Sequence, residues 1–370
     1  MKACLVTGGA GFIGSFIVDE LIERGYTVRI YDNLDPQVHP GGKIPVYLNK
    51  EAEFIRGDVR DYDALKKAID GTEVVFHKAA AVGVGQSQYK IKHYVDVNIG
   101  GTTNLLDIIA NEKTNVSKII VAASMSSYGE GQYECEDCGI VIPPLRTDEQ
   151  MTNQDWELYC PLCLEKVNPM PTSEEKRLQC NSIYAITKKN QEEMVLNIGE
   201  TYNIPTVALR YFNVYGPRQS LSNPYTGVAA IFITRIKHDN PPVIFEDGLQ
   251  TRDFVSVHDI ARANILAMEA ESLSGYYNIG TGQPRTIQAI AEILNSLYGK
   301  EISPEITGKF RKGDIRHCIA DISKAKSTFS YKPQIEFEDG MRELIEWSAT
   351  AESVDRVKEA HQELLERGLV

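Results

Sequence analysis

Short apolar runs alternate with helical patterns through the first half of the chain. Residues 2–7 form an apolar run of the kind found in strands buried on both faces of a parallel sheet. Comparable runs follow at 27–31, 53–56, 73–77, 118–122 and 205–210. Helical segments separate these runs, with the clearest at 89–112 and from 184 to about 202. This alternation predicts an α/β fold in which helices cover both faces of a parallel sheet.

The alternation loosens in the second half. Residues 226–239 are predicted to form a helix, and 243–255 a short strand pair around Asp247 and Gly248. A further helix is predicted from Val257 to Glu271, and two more over 338–368. We therefore expect a smaller α/β substrate-binding lobe over 210–370, of which about 257–280 packs back on the first half.

A glycine turn joins the first predicted strand to the first helix. Gly8, Gly11 and Gly14 have the spacing G-x-x-G-x-x-G. A strand, a glycine turn and a helix in that order place bare backbone N–H groups at the positive end of the helix, which suits a pyrophosphate. The pattern predicts a Rossmann-type, doubly wound dinucleotide-binding domain over 1–209.

An acidic residue ends the second predicted strand. Asp32 and Asn33 lie about 20 residues beyond the glycines. A carboxylate there can accept hydrogen bonds from the ribose hydroxyls of NAD and would repel the 2′-phosphate of NADP. We therefore expect NAD as the cofactor, while an acidic loop residue without a partner is the alternative interpretation.

Tyr184 and Lys188 stand four residues apart at the start of a predicted helix, so their side chains share one face. A fixed cation favours the phenolate, and a tyrosine tuned in this way can act as a general base near neutral pH. The pattern alone is weak, because the chain has 18 tyrosines and repeats the spacing at Tyr62 and Lys66. Ser124, at the carboxyl end of the fifth predicted strand, lies where ligands bind in such sheets.

Two C-x-x-C pairs lie in residues 130–171, which look like an insertion. Cys135 and Cys138 are separated by 21 residues from Cys160 and Cys163, a spacing typical of a four-thiolate zinc site. Zinc would fold a segment too small to build its own core, and four protein ligands would make the site structural. We expect a cysteine-rich, zinc-ribbon-like insertion, and four free thiols are the alternative.

Composition and charge narrow the classes of function. The 370 residues carry a net charge of −12, which argues against a broad nucleic-acid-binding face. No apolar run approaches the roughly 18 residues of a membrane span, and no signal peptide is visible. We expect a cytoplasmic protein whose cysteines are reduced or metal-bound rather than paired as disulfides.

Together these motifs resemble the extended short-chain dehydrogenase/reductase superfamily, over nearly the whole chain. The matching segments are 7–14, 32–33, 57–59, Ser124 with 128–129, Tyr184 with Lys188, and 210–217. Within the superfamily the chain resembles nucleotide-sugar 4-epimerases, especially those acting on dTDP-L-rhamnose and dTDP-6-deoxy-L-talose. The cysteine-bearing insertion, residues 181–191 and the charged C-terminal helix carry that finer resemblance.

The resemblance implies roles for individual residues. Tyr184 would take the proton of the sugar hydroxyl, Lys188 would hold the nicotinamide ribose and lower the pKa of the tyrosine, and Ser124 would bond the reacting oxygen. The implied cofactor-binding residues are Gly8, Gly11, Phe12, Ile13, Gly14, Asp32, Asn33, Asp58, Val59, Ala79, Ala80, Asn98, Tyr184 and Lys188. The implied substrate-binding residues are Ser124, Asn213, Arg252 and Arg311, with the two arginine forks suited to a diphosphate.

The resemblance also implies a reaction, epimerisation at C4 of a nucleotide-linked hexose (UDP-glucose/galactose is the other substrate type) through a transient 4-keto sugar. Dehydratases of the superfamily are disfavoured, because Met125 and Ser126 stand where those enzymes carry an Asp-Glu pair. Two alternatives stay open: another nucleotide-sugar oxidoreductase or decarboxylase, and a non-catalytic NAD- or sugar-binding protein. A homodimer formed by the helices near 89–112 and 184–202 is expected. Lys78 replaces the apolar residue usual after the histidine of such strands, and we assign it no role.

Overall fold

The structure is a computed structural model that describes residues 2–311 and 313–369. Its strands are β1 (Ala3–Thr7), β2 (Thr27–Asp32), β3 (Glu53–Arg56), β4 (Val74–His77), β5 (Lys118–Ser124), β6 (Gln132–Cys135), β7 (Gly139–Val141), β8 (Asn168–Met170), β9 (Thr206–Tyr211), β10 (Asn213–Tyr215), β11 (Val243–Ile244), β12 (Thr251–Ser256), β13 (Gly275–Ile279), β14 (Pro284–Thr286), β15 (Glu305–Ile306) and β16 (His317–Cys318).

The α-helices are α1 (Phe12–Glu23), α2 (Tyr62–Ile69), α3 (Val84–Ser87), α4 (Ile91–Tyr94), α5 (Gly101–Asn111), α6 (Asp148–Thr152), α7 (Ile183–Thr201), α8 (Val228–Lys237), α9 (Val257–Glu269), α10 (Ile287–Tyr298), α11 (Ser323–Phe329), α12 (Phe337–Thr350) and α13 (Val357–Glu366). A π-helix, Val95–Gly100, joins α4 to α5, so the predicted helix over 89–112 consists of three segments. Among the described residues, no helix combines the length and the apolar character needed to cross a bilayer.

A parallel sheet of seven strands forms the centre of the fold, in the order β13-β9-β5-β4-β1-β2-β3. The predicted parallel sheet is therefore confirmed. Helices α1 and α9 pack on one face through residues such as Ile17 and Ile260, while α2, α5 and α7 cover the other face through residues such as Leu105 and Val195. Both faces are buried, which explains why the strands read as continuous apolar runs.

The second half contributes both to this sheet and to a smaller lobe. β13 is the seventh strand, next to β9, and α9 packs against α1. The lobe itself consists of a sheet of β10, β12, β14 and β16 together with helices α8, α10 and α12, which share a separate apolar core. The division of the chain at residues 209 and 210 stays a prediction.

The predicted strand pair over 243–255 is wrong. β11 pairs with β15, and β12 pairs with β10, β14 and β16, so the two strands belong to different sheets. The turn signal at Asp247-Gly248 is real, since Gly248 has φ +82°. The buried carboxylate of Glu246 pairs instead with Arg146 and Arg316, and these long-range partners separate the two strands.

The insertion forms a compact unit of its own. β6 pairs with β7 and β8 in an antiparallel sheet, and a small core around Tyr133, Leu158 and Val167 lies beside the cysteines. Buried charges attach this unit to the smaller lobe. Arg146 donates to both carboxylate oxygens of Glu246, at 2.8 and 2.9 Å.

A second buried arginine continues the attachment of the insertion. The guanidinium of Arg316 pairs with Glu157 of the insertion at 2.7 Å and with Asp247 at 2.6 Å. The side chain of Arg316 is fully buried, whereas those of Glu157 and Asp247 are 26% and 29% exposed. The insertion is thus held by one fully buried ion pair, Arg146 with Glu246, and by pairs of the buried Arg316 with partly exposed carboxylates.

Candidate active site

A cavity of about 480 Å³ lies at the carboxyl ends of the central strands, where ligands bind in this class of fold. Most of the predicted site residues line it: Gly8, Gly11, Phe12, Ile13, Gly14, Asp32, Asn33, Asp58, Val59, Ala79, Ala80, Ser124, Tyr184, Lys188 and Asn213. Asn98, Arg252 and Arg311 do not. The fold thus brings residues from 8 to 213 to one cavity.

The glycine turn packs tightly against the start of α1. Gly8 has φ +69°, a conformation that favours glycine, and a Cβ added at Gly14 would lie 2.2 Å from the carbonyl oxygen of Gly8. Gly11 precedes the helix and offers no side chain to cap it. The first N–H groups of α1 therefore point at the cavity edge without a capping side chain, which suits an anion.

Carboxylates are fixed at the ends of β2 and β3. Asp32 is buried and accepts from the backbone N–H groups of Ala10 at 3.0 Å and Leu34 at 2.9 Å. Asn33 donates to Asp58 at 2.9 Å, and a side-chain hydrogen bond from Arg60 lowers the pKa of Asp58 to about 2. Both acids are held in place before a ligand arrives.

Ser124, Tyr184 and Lys188 meet in the cavity from two elements. Ser124 is the last residue of β5, while Tyr184 and Lys188 lie one turn apart in α7, so the predicted helix is confirmed. The Ser182 side chain caps α7 by accepting from the N–H of Ala185. The three side chains are thereby placed by the end of one strand and the capped start of one helix.

Burial controls the protonation of this group. It raises the pKa of Tyr184, and the Ser124 hydroxyl opposes that rise. Burial also lowers the pKa of Lys188 to about 7, against the opposing charge of Glu192. The Lys188 amine donates to the Gln191 side chain at 2.9 Å.

Asn98 lies in the π-helix and supports the cavity from behind. Its side chain bonds both the N–H and the C=O of Ala81, at 2.7 and 3.1 Å, and donates to Thr187 at 2.9 Å. Asn98 therefore connects the loop that contains Ala79 and Ala80 to helix α7, although it does not line the cavity itself.

The two predicted substrate arginines have other partners. Arg252 donates to the carbonyl groups of Thr251, Ile315 and Arg316. Arg311 pairs with Asp314 at 2.8 Å. The structure does not bring either guanidinium to the cavity wall, so contact with a ligand there would require them to move.

Two buried oxygen atoms on the cavity wall lack a hydrogen-bond partner among the described residues. They are Oδ1 of Asn213, which was predicted, and Oε1 of Gln219, which was not. An unpaired buried acceptor is unfavourable, so both oxygens suit a ligand that presents O–H or N–H groups. Gln219 lies two residues beyond the end of the motif at 210–217. Its position so close to that motif was the one sequence feature that could have indicated a role in the site.

The four predicted zinc ligands lie together. Their Sγ atoms all lie within 4.8 Å of one another, with 3.4 Å between those of Cys135 and Cys163. Tetrahedral zinc with Zn–S bonds of about 2.3 Å places its sulfurs about 3.8 Å apart. The cluster therefore has the size of a four-thiolate metal site.

Comparison with known proteins finds relatives among nucleotide-sugar epimerases and dehydratases. Residues 4–147 match the NAD dependent epimerase/dehydratase family, and residues 166–344 match the GDP-mannose 4,6 dehydratase family. A dTDP-L-rhamnose 4-epimerase of Burkholderia thailandensis is 37% identical over 364 residues, which cover 96% of each chain.

The chain belongs to the NAD-dependent epimerase/dehydratase family.

Solved structures of this family share the fold. The UDP-glucose 4-epimerase of Thermotoga maritima, solved with UDP-glucose, is 32% identical with a TM-score of 0.75, covering 94% of this chain and 99% of that one. The UDP-glucose 4-epimerase of Thermus thermophilus, solved with NAD, is 29% identical with a TM-score of 0.75, covering 95% and 100%. The resemblance noted in the sequence is confirmed, and the relatives are enzymes.

The last helix, α13, contacts two tyrosines that the sequence analysis did not single out. Tyr225 lines the cavity and donates to Glu363 of α13 at 2.7 Å. Tyr89, which follows α3, donates to the same carboxylate oxygen at 2.8 Å, and the two hydroxyl oxygens lie 2.7 Å apart. Helix α13 therefore joins residues of both lobes beside the cavity.

Lys78 lines the cavity and is half-buried. Its amine donates to the carbonyl of Ile120 at 3.2 Å and lies 5.6 Å from the centre of the Tyr211 ring. Burial, with a smaller effect from the charge of Lys188, holds the pKa of Lys78 well below its usual range. The departure noted in the sequence thus places a second amine, besides that of Lys188, on the cavity wall next to the glycine turn.

Proposed function

We propose that the protein is an NAD-dependent 4-epimerase of nucleotide-diphosphate hexoses. The observation that carries this proposal is the meeting of Ser124, Tyr184 and Lys188 in a cavity that also contains the glycine turn. The relatives named above act on dTDP-L-rhamnose or UDP-glucose, so a dTDP- or UDP-linked hexose is the proposed substrate.

The residues present fit NAD. The glycine turn, which packs too tightly at Gly14 to admit a side chain, the uncapped start of α1 and the fixed carboxylate of Asp32 suit a pyrophosphate followed by an adenosine ribose. When bound, NAD would supply the acceptance and return of a hydride at C4 of the sugar. The protein supplies the remaining parts of the reaction, which are proton transfer, orientation and charge.

Proton transfer falls to the group around Tyr184. Its phenol oxygen takes the proton of the 4-hydroxyl and gives it back after the 4-keto sugar has turned its other face to the site. Ser124 donates a hydrogen bond to the reacting oxygen, and the ammonium of Lys188 favours the phenolate. Asn213 and Gln219 offer acceptors for the hydroxyl groups of the substrate. The proton returns within each cycle, so no net proton is released.

A test of this function uses a panel of dTDP-, UDP- and GDP-hexoses, with NMR to detect inversion at C4. Tyr184→Phe is expected to lower kcat by roughly 10²–10⁴-fold, the usual contribution of general acid–base catalysis. The matched control is Tyr62→Phe, in the other Tyr-x-x-x-Lys sequence, which lies outside the cavity lining. Retention of more than a few per cent of kcat by Tyr184→Phe would overturn the assignment. Steady conversion of added NAD⁺ to NADH would instead favour an oxidoreductase.

We infer a structural zinc ion in the insertion, held by Cys135, Cys138, Cys160 and Cys163. The sulfur cluster supports this inference, and its four ligands leave no position for a substrate. Metal analysis should find close to one zinc per chain. Cys138→Ser should lose the metal, whereas Cys180→Ser, outside the cluster, should keep it. Less than a tenth of a zinc per chain would remove the proposal.

We also propose a homodimer formed by the helices near 89–112, which are α4, the π-helix and α5, and by α7. Exposed apolar side chains on this surface support it, with Ile91, Val95 and Ile186 each more than a third exposed. Sedimentation should show twice the mass of the chain, and Ile186→Glu should shift the protein toward the monomer. A wild-type protein that sediments as a monomer would contradict this proposal. The cytoplasmic location stays a prediction from the sequence.

A further inference from the structure

We propose that Gln191 is a positioning residue for the reaction, which holds the Lys188 amine through a buried, uncharged chain of hydrogen bonds running from α7 to β1. This inference rests on the role proposed above for Lys188. It goes beyond that role because it assigns the control of the lysine to a residue outside the catalytic group.

The first link of the chain lies within α7. Gln191 follows Lys188 by three residues, so the two side chains share one face of the helix. Nζ of Lys188 donates to Oε1 of Gln191 at 2.9 Å, and only 4% and 1% of the two residues are exposed. Nε2 of Gln191 donates to the hydroxyl of Thr102 at 2.8 Å. The amide is thus oriented, with its oxygen toward the amine and its nitrogen toward the threonine.

The chain continues through a histidine to the first strand. The Thr102 hydroxyl gives its proton to the carbonyl of Asn98 at 2.6 Å, so it accepts from both Gln191 and Nε2 of His77, the latter at 2.9 Å. Nδ1 of His77 then accepts from the Thr7 hydroxyl at 2.9 Å. With His77 neutral and protonated at Nε2, the ring proton and the hydroxyl protons of Thr102 and Thr7 each have an acceptor.

The uncharged state of the chain is consistent with its surroundings. Burial and the charges of Lys188 and Lys78 lower the pKa of His77 to about 3. Thr7 in turn accepts from the backbone N–H groups of Lys78 and Ala79, which border the glycine turn. The chain therefore links the amine of Lys188 to the loop beside the proposed pyrophosphate site.

Other charged groups near the amine lie on neighbouring elements. Glu192 follows on α7 but pairs with the buried Arg210 of β9, at 2.5 Å. Lys78, at the end of β4, donates to Ile120, and the phenol of Tyr184 lies one turn away. Among the described contacts, the acceptor of Lys188 is a neutral amide rather than a carboxylate.

A neutral acceptor suits the work of this lysine. A carboxylate at 191 would hold the amine in an ion pair and stabilise its charge, whereas an apolar residue would leave a buried amine without an acceptor. The amide orients the amine and leaves its remaining two N–H donors for the ribose and the phenol. Gln191 thus acts through Lys188 and does not touch the reacting atoms.

The test compares Gln191→Glu and Gln191→Leu in the full-length protein. The charged form of Lys188 is the active one, so activity falls as pH rises through its pKa. Gln191→Glu should move the alkaline limb of the kcat/KM profile up by about one pH unit, a tenfold change in the acid dissociation constant, at 1.36 kcal/mol per unit. Gln191→Leu should move it down. Asn190→Asp, the same amide-to-acid change one residue away, is the matched control.

A second readout needs no turnover. The dissociation constant of NAD, measured from pH 6 to 10 on protein freed of dinucleotide, should show the same displaced limb. Thr102→Val removes the hydroxyl that orients the Gln191 amide and should shift the alkaline limb in the same direction as Gln191→Leu. This variant replaces Gln191→Leu in the test if Gln191→Leu does not fold. Equal shifts from Gln191→Glu and Asn190→Asp, or no shift from either, would overturn the proposal. NAD binding can be measured without epimerisation. If the 4-epimerase assignment failed in the sugar-nucleotide panel, the pH dependence of NAD binding would therefore still test the role of Gln191.

Discussion

Arg146 offers a direct test of how the insertion is attached to the smaller lobe. Its side chain is 1% exposed and donates to both oxygens of Glu246, to the carbonyl of Trp156 and to that of Asp314. Arg146→Met keeps most of the aliphatic stem but removes all four hydrogen bonds. Glu246, at 2% exposed, then keeps Arg316 as a partner at 3.1 Å.

Breaking a buried ion pair costs roughly 3–5 kcal/mol, because one charge is left in the interior without its partner. The remaining contact with Arg316 places Arg146→Met at the lower end, near 3 kcal/mol. Urea unfolding measures the change in free energy, and with an m-value of about 3 kcal/mol per molar the midpoint should fall by about 1 M.

Two further variants complete this test. Arg342→Met removes an ion pair with Asp339 in which both side chains are more than half exposed, and it should change the free energy of unfolding by under ~1 kcal/mol. Arg146→Met combined with Glu246→Met removes both charges and should recover most of the loss. The reasoning is refuted if Arg146→Met costs no more than Arg342→Met, or if the double variant is as unstable as the sum of its parts.

Three more outcomes are expected. A hydrogen bond from His317 and the pairing with Arg316 lower the pKa of Glu157 to about 2. The stability that the Glu157 carboxylate contributes to the fold is therefore complete above its ordinary pKa of 4.5 and is lost as pH falls toward 2. The difference in urea midpoint between the wild type and Glu157→Gln should shrink over that range. Among the described residues, the Lys or Arg side chains that line the cavity are those of Lys78 and Lys188, and both amines already have hydrogen-bond partners. The cavity therefore offers no free cation to a sugar carboxylate, and UDP-glucuronate should show a kcat/KM at least tenfold below that of a UDP-linked neutral hexose. Equal values would contradict this. Glu363→Gln weakens the contact between α13 and two tyrosines, and NAD release followed by fluorescence should be several-fold faster, whereas an unchanged rate would show that α13 does not restrain the cavity.

Local patterns were sufficient to place the residues of the proposed cofactor site and of the proposed catalytic group in one cavity. The glycine spacing, the acid after β2 and the Tyr-x-x-x-Lys pair are short motifs whose geometry follows from a strand end or one helical turn. These residues all line the same cavity, as expected. Motifs of this kind succeed because the parallel sheet brings every strand end to one edge.

Long-range partners were beyond local patterns. The strand pair over 243–255 was wrong because Glu246 is held by arginines 100 and 70 residues away in sequence. Gln191 gave no signal, since its partner Thr102 lies 89 residues earlier. Arg252 was placed by motif alone, and the structure shows its guanidinium on backbone carbonyls instead. The motif therefore identified the residue but did not determine where its guanidinium points.

The position of β13 has a consequence for how the chain is made. Its neighbour β9 is buried along its whole length, yet the strand that covers it lies more than 60 residues later. During synthesis, the emerging chain presents an apolar strand with an unpaired edge, a template for pairing with another chain, until about residue 280 has left the ribosome. Fragments that stop before Gly275 should therefore aggregate, and we expect that the first half of the chain cannot be produced as an independent unit by cutting the gene after β9.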